Sequence, residues 1–143
     1  MKKLYLMTLA GLGVLALAGC AGKSNPCCDR MSDEYRPVVH FAFDSAALTS
    51  ESQRVLQQAV EKIEKCPKLM INIAGYTDNT GTPVYNMKLG KERALAVQSY
   101  LMGQGISAHR FRIATMGEND PVACNGTEDG RAQNRRAVIH FTR

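Results

Sequence analysis

Asp78 and Arg93 stand fifteen positions apart in the stretch GYTDNTGTPVYNMKLGKERA, residues 75–94, an acid and a base on either side of a turn. An aspartate accepts hydrogen bonds from an ammonium group, and an arginine presents a planar fork of donors that matches a carboxylate. Together they describe a receptor for a zwitterion such as the end of a free amino acid. The same two charges also describe a structural salt bridge or two solvated groups, so the chemistry depends on the elements that carry them. An apolar alternating run ahead of Asp78 predicts a strand, and Asn79-Thr80-Gly81 with Pro83 predicts a turn. The helical pattern restarts near Leu89 and Gly90. Gly90 as the N-cap then places Arg93 in the first helical turn, where free backbone N–H groups and the helix dipole already favour an anion.

The rest of the pattern supplies the scaffold for this turn. Residues 38–43 (VVHFAF) are β-rich and end at Asp44-Ser45. Ser50 and Gln53 have capping-box spacing, and Val55, Leu56, Ala59, Val60 and Ile63 recur at helical intervals until Pro67. Leu69, Ile71 and Ile73 alternate along a second strand that delivers Asp78. The second helix buries Leu89, Val97, Tyr100 and Leu101 with the small Ala94 and Ala96, and ends at Gly103 and Gly105. A third strand runs from Phe111 to Met116, with Arg110 and Arg112 on its exposed face. Thr127 with Glu128 and Asp129 opens a short helix to about Asn134, and 137–142 form the last strand. This alternation predicts an α/β two-layer sandwich whose first three strands join by right-handed crossovers. The pattern leaves the strand order open.

The chain has 143 residues and a net charge of +5, of which Lys2 and Lys3 belong to an N-terminal leader, leaving +3. That balance, with no Trp and 6% aromatics, excludes a stacking and phosphate-binding platform for nucleic acid. Leu4 to Ala18 is apolar apart from Thr8, shorter than the about 20 residues that span a membrane and suited to a secretory signal. Leu17-Ala18-Gly19-Cys20 resembles the bacterial lipobox, which implies acylation of Cys20 as the mature amino terminus. Ala21 in the next position, where inner-membrane-retained lipoproteins commonly carry Asp, implies the outer membrane. The expected organisation is a signal peptide over 1–19, a lipidated N-terminus and flexible tether over 20–37, and one domain over 38–143. His40, His109 and His140 are isolated, with no partner at metal-ligand spacing, so neither a metal site nor a cofactor is expected. No GxSxG elbow is present. A hydrolase built on Asp44, Asp78 and Glu92 needs one raised carboxyl pKa, which Arg93 opposes, so no catalytic residue is assigned.

The runs TDNTGTPVYNMKLGKERALAVQSYL, GISAHRFRIATMGENDPVACN and GRAQNRRAVIHF resemble, in order and spacing, the OmpA-like C-terminal domain family, which includes the peptidoglycan-associated lipoproteins. The resemblance covers Val38 to Arg143. It implies a βαβαβ(α)β fold with a mixed four-stranded sheet, and a non-enzymatic outer-membrane lipoprotein whose domain faces the periplasm. The implied activity is non-covalent binding of peptidoglycan through the meso-diaminopimelate of the stem peptide. By motif position, Asp78 holds the ammonium and Arg93 the carboxylate, while Asp44 of FAFDS, Asn86 of VYNMKL and Arg135 of NRRA line the same pocket. Many relatives carry Ser where this chain has Gly90, a difference that bears on capping. The alternative is an envelope signalling or complex-assembly lipoprotein that engages a Tol-type periplasmic protein, with wall binding secondary.

With Cys20 acylated, Cys27, Cys28, Cys66 and Cys124 remain in an oxidising compartment. Cys66 ends the first helix, which runs back toward the start of the first strand, where the tether enters. A disulfide from Cys66 to Cys27 or Cys28 is therefore expected.

Overall fold

Side-chain alternation decides which face of the sheet is covered. Along Met70–Tyr76 the residues Ile71, Ile73 and Gly75 are buried, and along Arg136–Thr142 so are Ala137, Ile139 and Phe141. The two strands are antiparallel neighbours with Ile71 opposite Phe141, Ile73 opposite Ile139 and Gly75 opposite Ala137, so one face presents a continuous apolar strip. The computed structural model describes residues 26–143. Its elements are helix α1 (Pro26–Glu34), strand β1 (Val38–His40), helix α2 (Ser50–Lys65), strand β2 (Met70–Tyr76), helix α3 (Pro83–Gly103), strand β3 (Phe111–Gly117), helix α4 (Glu128–Asn134) and strand β4 (Arg136–Thr142). The sheet order is β1-β4-β2-β3, with β2 and β3 parallel and β4 antiparallel to both of its neighbours. This is the expected mixed four-stranded sheet. Leu56, Ala59, Val60 and Ile63 of α2 and Ala94, Val97 and Leu101 of α3 cover the apolar face. Among the described residues no helix is long and apolar enough to cross a membrane.

Four local features differ from the sequence reading. Strand β1 stops at His40 instead of Phe43 because the chain turns at Asp44, whose φ of 51° lies in the left-handed region, and only Phe41 N continues the pairing, to Arg135 O at 2.9 Å. The N-cap of α2 is Thr49, whose side chain accepts from Ser52 N. Arg110, expected to be exposed, is buried in the 3-10 turn Ala108–Arg110, where its Nη2 donates to Cys66 O and its Nε and Nη2 both donate to Leu69 O. It closes the carbonyls that the end of α2 leaves open. Arg110→Ala, by removing both guanidinium donors from Leu69 O while Cys66 O keeps only Leu69 N at 3.2 Å, should cost about 1–3 kcal/mol in urea unfolding.

The fourth difference is α1, which occupies part of the stretch read as a flexible tether. Pro26 at its start and Asp29 in its first turn suit a helix N-terminus. It shows no apolar period because it docks through few groups: Met31 enters the core, and Tyr35, just past its end, stacks on Phe141 with ring centroids 5.9 Å apart. Cys28 is bonded to Cys66, with Cα atoms 5.6 Å apart, which decides between the two expected pairings. Closing a loop of sequence separation 38 stabilises by about 4 kcal/mol in the chain-entropy account. Cys124 is free and exposed. The leader, Cys20 and the first part of the expected tether lie outside the described residues.

Candidate functional site

The approach of α3 to β2 creates the site. A Cβ on Gly75 would lie 1.7 Å from Gly90 O, and one on Gly90 would lie 2.8 Å from Gly75 O and 2.5 Å from Thr115 Oγ1. The two glycines let helix and strand backbones touch. Gly90 is therefore a packing residue in the helix interior, and the expected N-cap is Thr82 instead, whose Oγ1 accepts from Tyr85 N at 3.2 Å, with Pro83 following it. Arg93 consequently sits in the third turn of α3, away from the helix N-terminus. With the helix begun at Pro83, Asn86, Leu89, Gly90, Arg93, Ala94, Val97 and Leu101 form one buried stripe. The Thr82-Pro83 pair was the signal that could have revealed this, because it is a cap followed by the residue type favoured at the first helical position.

Arg93 is fully buried. Its Nε donates to Ser45 O at 2.9 Å, Nη1 to Tyr76 O at 2.9 Å and Nη2 to Ala42 O at 3.2 Å, using three of the guanidinium's five N–H groups. It thus clamps the loop after β1 to the end of β2. Burial lowers its pKa to about 10, with Asp78 opposing that effect, so it remains a cation at neutral pH. Asp78 is also buried. Its Oδ1 accepts from Thr80 N at 2.9 Å and its Oδ2 from Arg135 Nη1 at 3.2 Å.

Arg135 links three parts of the chain: besides Asp78, its Nη2 donates to Glu128 Oε1 at 2.8 Å and its Nε to Phe41 O at 3.3 Å. Burial by itself would lower the Arg135 pKa, but Glu128 and Asp78 more than restore it. Asn86 is buried and donates to Glu118 Oε2 at 2.6 Å. Asp44 lies exposed at the rim, where Tyr85 Oη donates to its Oδ1, a bond that raises the Tyr85 pKa.

The structure brings Asp44, Asp78, Asn86 and Arg93 together on one pocket of about 320 Å³, whose walls are completed by Phe43, Thr80, Gly81, Tyr85 and Leu89. Arg135 supports Asp78 from beside the pocket. The pocket lies at the C-terminal ends of β1 and β2, the end of such sheets where ligands commonly sit. Sequence reasoning missed Tyr85, Glu118 and the partnership of Glu128. It also missed the role of Asn134, fully buried at the end of α4. Its Oδ1 accepts from Val122 N and Ala123 N, and its Nδ2 donates to Ala123 O and Asn125 Oδ1, which holds the loop after β3 in place. Nothing in the local pattern marks that asparagine. No group of three or more His, Cys, Asp or Glu that could hold a metal occurs among the described residues.

Arg135, followed by Arg131, holds the Glu128 carboxyl below its usual 4.5. A carboxyl depressed in the folded state contributes stability above its unfolded pKa and loses it as pH falls through the folded one. Glu128→Gln should therefore flatten the acid side of the stability profile below pH 4.5 while leaving neutral-pH folding largely intact. Thermal melts across a pH series check this.

The arrangement has close counterparts. The OmpA family model matches residues 40–135. The chain is 34% identical over 119 residues to the peptidoglycan-binding protein ArfA of Mycobacterium tuberculosis (strain ATCC 25618 / H37Rv), an alignment covering 81% of this chain and 36% of ArfA. It is 30% identical over 154 residues to the peptidoglycan-associated lipoprotein of Haemophilus influenzae, covering 99% of this chain and 100% of that protein. This chain therefore spans about a third of the first relative and the whole of the second. The crystal structure of the peptidoglycan-associated lipoprotein from Burkholderia pseudomallei superposes with a TM-score of 0.73 at 35% identity, covering 82% of this chain and 100% of that one. A family model that matches from the end of β1 to the arginine beside Asp78, together with relatives that share this sheet, establishes that the chain belongs to the OmpA family.

Proposed function

We propose that this protein is an outer-membrane lipoprotein that binds peptidoglycan non-covalently through the free zwitterionic end of meso-diaminopimelate, and so tethers the membrane to the wall. The observation that carries the reading is the convergence of Asp44, Asp78, Asn86 and Arg93 on one pocket, with Arg135 behind Asp78. Family membership and the names of the peptidoglycan-binding relatives support it.

In this reading Asp78 and the rim Asp44 attract the ammonium. Arg93 supplies a cation fixed in the pocket wall by three carbonyls, with two N–H groups left over for the ligand's carboxylate. Because the guanidinium is held before any ligand arrives, little side-chain entropy is lost on binding. A single site of micromolar to millimolar affinity suffices, since repeated stem peptides on one polymer and a membrane-fixed population raise the effective concentration. The anchor in this reading is acylated Cys20, the several chains of a lipoprotein giving a durable hold that one chain does not.

Two fractionations test the proposal. Wild-type protein should sediment with purified diaminopimelate-type peptidoglycan and Asp78→Asn should remain in the supernatant; equal sedimentation overturns the site. Cys20→Ala should leave the membrane fraction once the wall is digested; continued co-sedimentation with outer membrane overturns the anchor.

A further inference from the structure

The Cys28–Cys66 bond and the pocket lie at opposite ends of the sheet. Strand β2 starts at Met70, just after Cys66, and runs seven residues before the chain reaches Asp78, a span of roughly 23 Å at about 3.3 Å per residue. Strand β4 traces the same axis in reverse. Arg135 precedes it and pairs with Asp78 at the pocket, whereas Arg143 follows it and pairs with Asp29 of α1. Strand β3 agrees: Arg110 at its start donates to Cys66 O, and Gly117 at its end accepts from Thr77 N. The chain therefore enters the folded domain, through α1, at the pole farthest from the pocket.

Without the disulfide, α1 has little to keep it there. A helix of nine residues is not stable alone. Its other holds are Met31 in the core, Tyr35 between Phe141 and Lys62, and the Asp29–Arg143 pair, whose side chains are 38% and 60% exposed and so screened by solvent. Apart from the backbone that runs through residues 35–37 into β1, the disulfide is the one covalent tie between α1 and the sandwich among the described residues.

The consequence concerns reach. From Cys20 to Pro26 the backbone spans at most about 20 Å, whereas from Cys20 to Pro37 it spans at most about 60 Å. We propose that the Cys28–Cys66 bond is a reach-setting staple. It holds α1 at the pole opposite the pocket, so that a domain anchored through Cys20 sits close against its membrane with the pocket directed away. Loss of the bond frees α1 up to Pro37, whose carbonyl still accepts from Ile139 N at 3.0 Å, and adds up to about 40 Å to the distance at which the pocket can engage a wall. The staple itself stands on the fold; its effect on reach rests on the anchor proposed above.

Hydrogen exchange tests the staple. Amides of residues 30–34, which have acceptors four residues back within α1, should be protected in wild type and exchange about 100-fold faster in the Cys28→Ser/Cys66→Ser variant, with α2 to β4 protected in both. The same comparison on wild type before and after a dithiol, which becomes a cyclic disulfide as it reduces Cys28 and Cys66 to thiols, does not depend on how the variant folds. Unchanged exchange in the α1 region after reduction overturns the proposal. Neutron reflectometry of the lipidated chain on a supported bilayer tests the reach. Wild type should form one thin layer, and the variant a layer extending up to about 40 Å further from the lipid. Equal layers overturn the proposal. Wild type that washes off the bilayer overturns the anchor and with it the reach, and the exchange data tell that result apart from failure of the staple.

Discussion

Asp78→Asn should lower affinity for a stem peptide ending in free diaminopimelate by one to two orders of magnitude while leaving the fold in place. The substitution removes the charge that meets the ammonium in the proposed function, and charge-assisted hydrogen bonds contribute about 1.5–3 kcal/mol each. It retains an oxygen for Thr80 N, and Arg135 keeps Glu128 and Phe41 O as partners, so no buried cation is abandoned. Arg93→Ala should behave differently. Three carbonyls on two segments lose their donor at once, so unfolding free energy should fall along with binding. Titration calorimetry with matched free-acid, amidated and lysine peptides completes the test. Amidation removes the carboxylate's charge, and lysine brings an ammonium with no anion for Arg93, so both should bind more weakly than the free acid. Equal affinity for all three peptides would overturn the assignment of the pocket.

Gly75→Ala should be the most damaging single methyl in the domain. Its Cβ would fall 1.7 Å from Gly90 O and 2.7 Å from Gly90 C, both backbone atoms that no rotamer change can move. Helix α3 must shift off β2, at a cost of about 3 kcal/mol. Asn86 and Arg93 ride on α3 while Asp78 follows β2, so the shift also separates the two halves of the pocket, and peptide affinity should fall at least about tenfold. Gly103→Ala is the matched control: a Cβ there meets nothing within 4 Å, and alanine is the better helix former by about 1 kcal/mol. Urea unfolding of the two variants side by side decides the matter; a Gly75→Ala protein as stable as Gly103→Ala would show that the close approach carries no energetic weight.

Elements with strong periodicity are legible in the amino-acid order alone. The alternation of Ile71 and Ile73, the stripe Leu56, Ala59, Val60 and Ile63, and the cap at Thr127 all recur in the structure, because burial on one face imposes a period of two or of 3.6 that composition displays directly. The motif order was enough for the family, and the position of Cys66 narrowed its partner to two residues. The remainder follows from contacts between segments distant in the chain. Strand order, with β4 inserted between β1 and β2, depends on long-range pairing that no local pattern encodes. Helix α1 is invisible to periodicity because Met31 and a disulfide hold it, where a stripe would otherwise be needed. Arg110 reads as a solvent-facing charge, yet it is buried on backbone carbonyls, and Arg93 likewise holds three carbonyls while lining the pocket, since a guanidinium with five donors can satisfy several acceptors at once. Gly90 read as a cap and is a point of contact. Its meaning lies in Gly75 across the interface, a residue fifteen positions away in sequence whose backbone it touches only once the chain has folded.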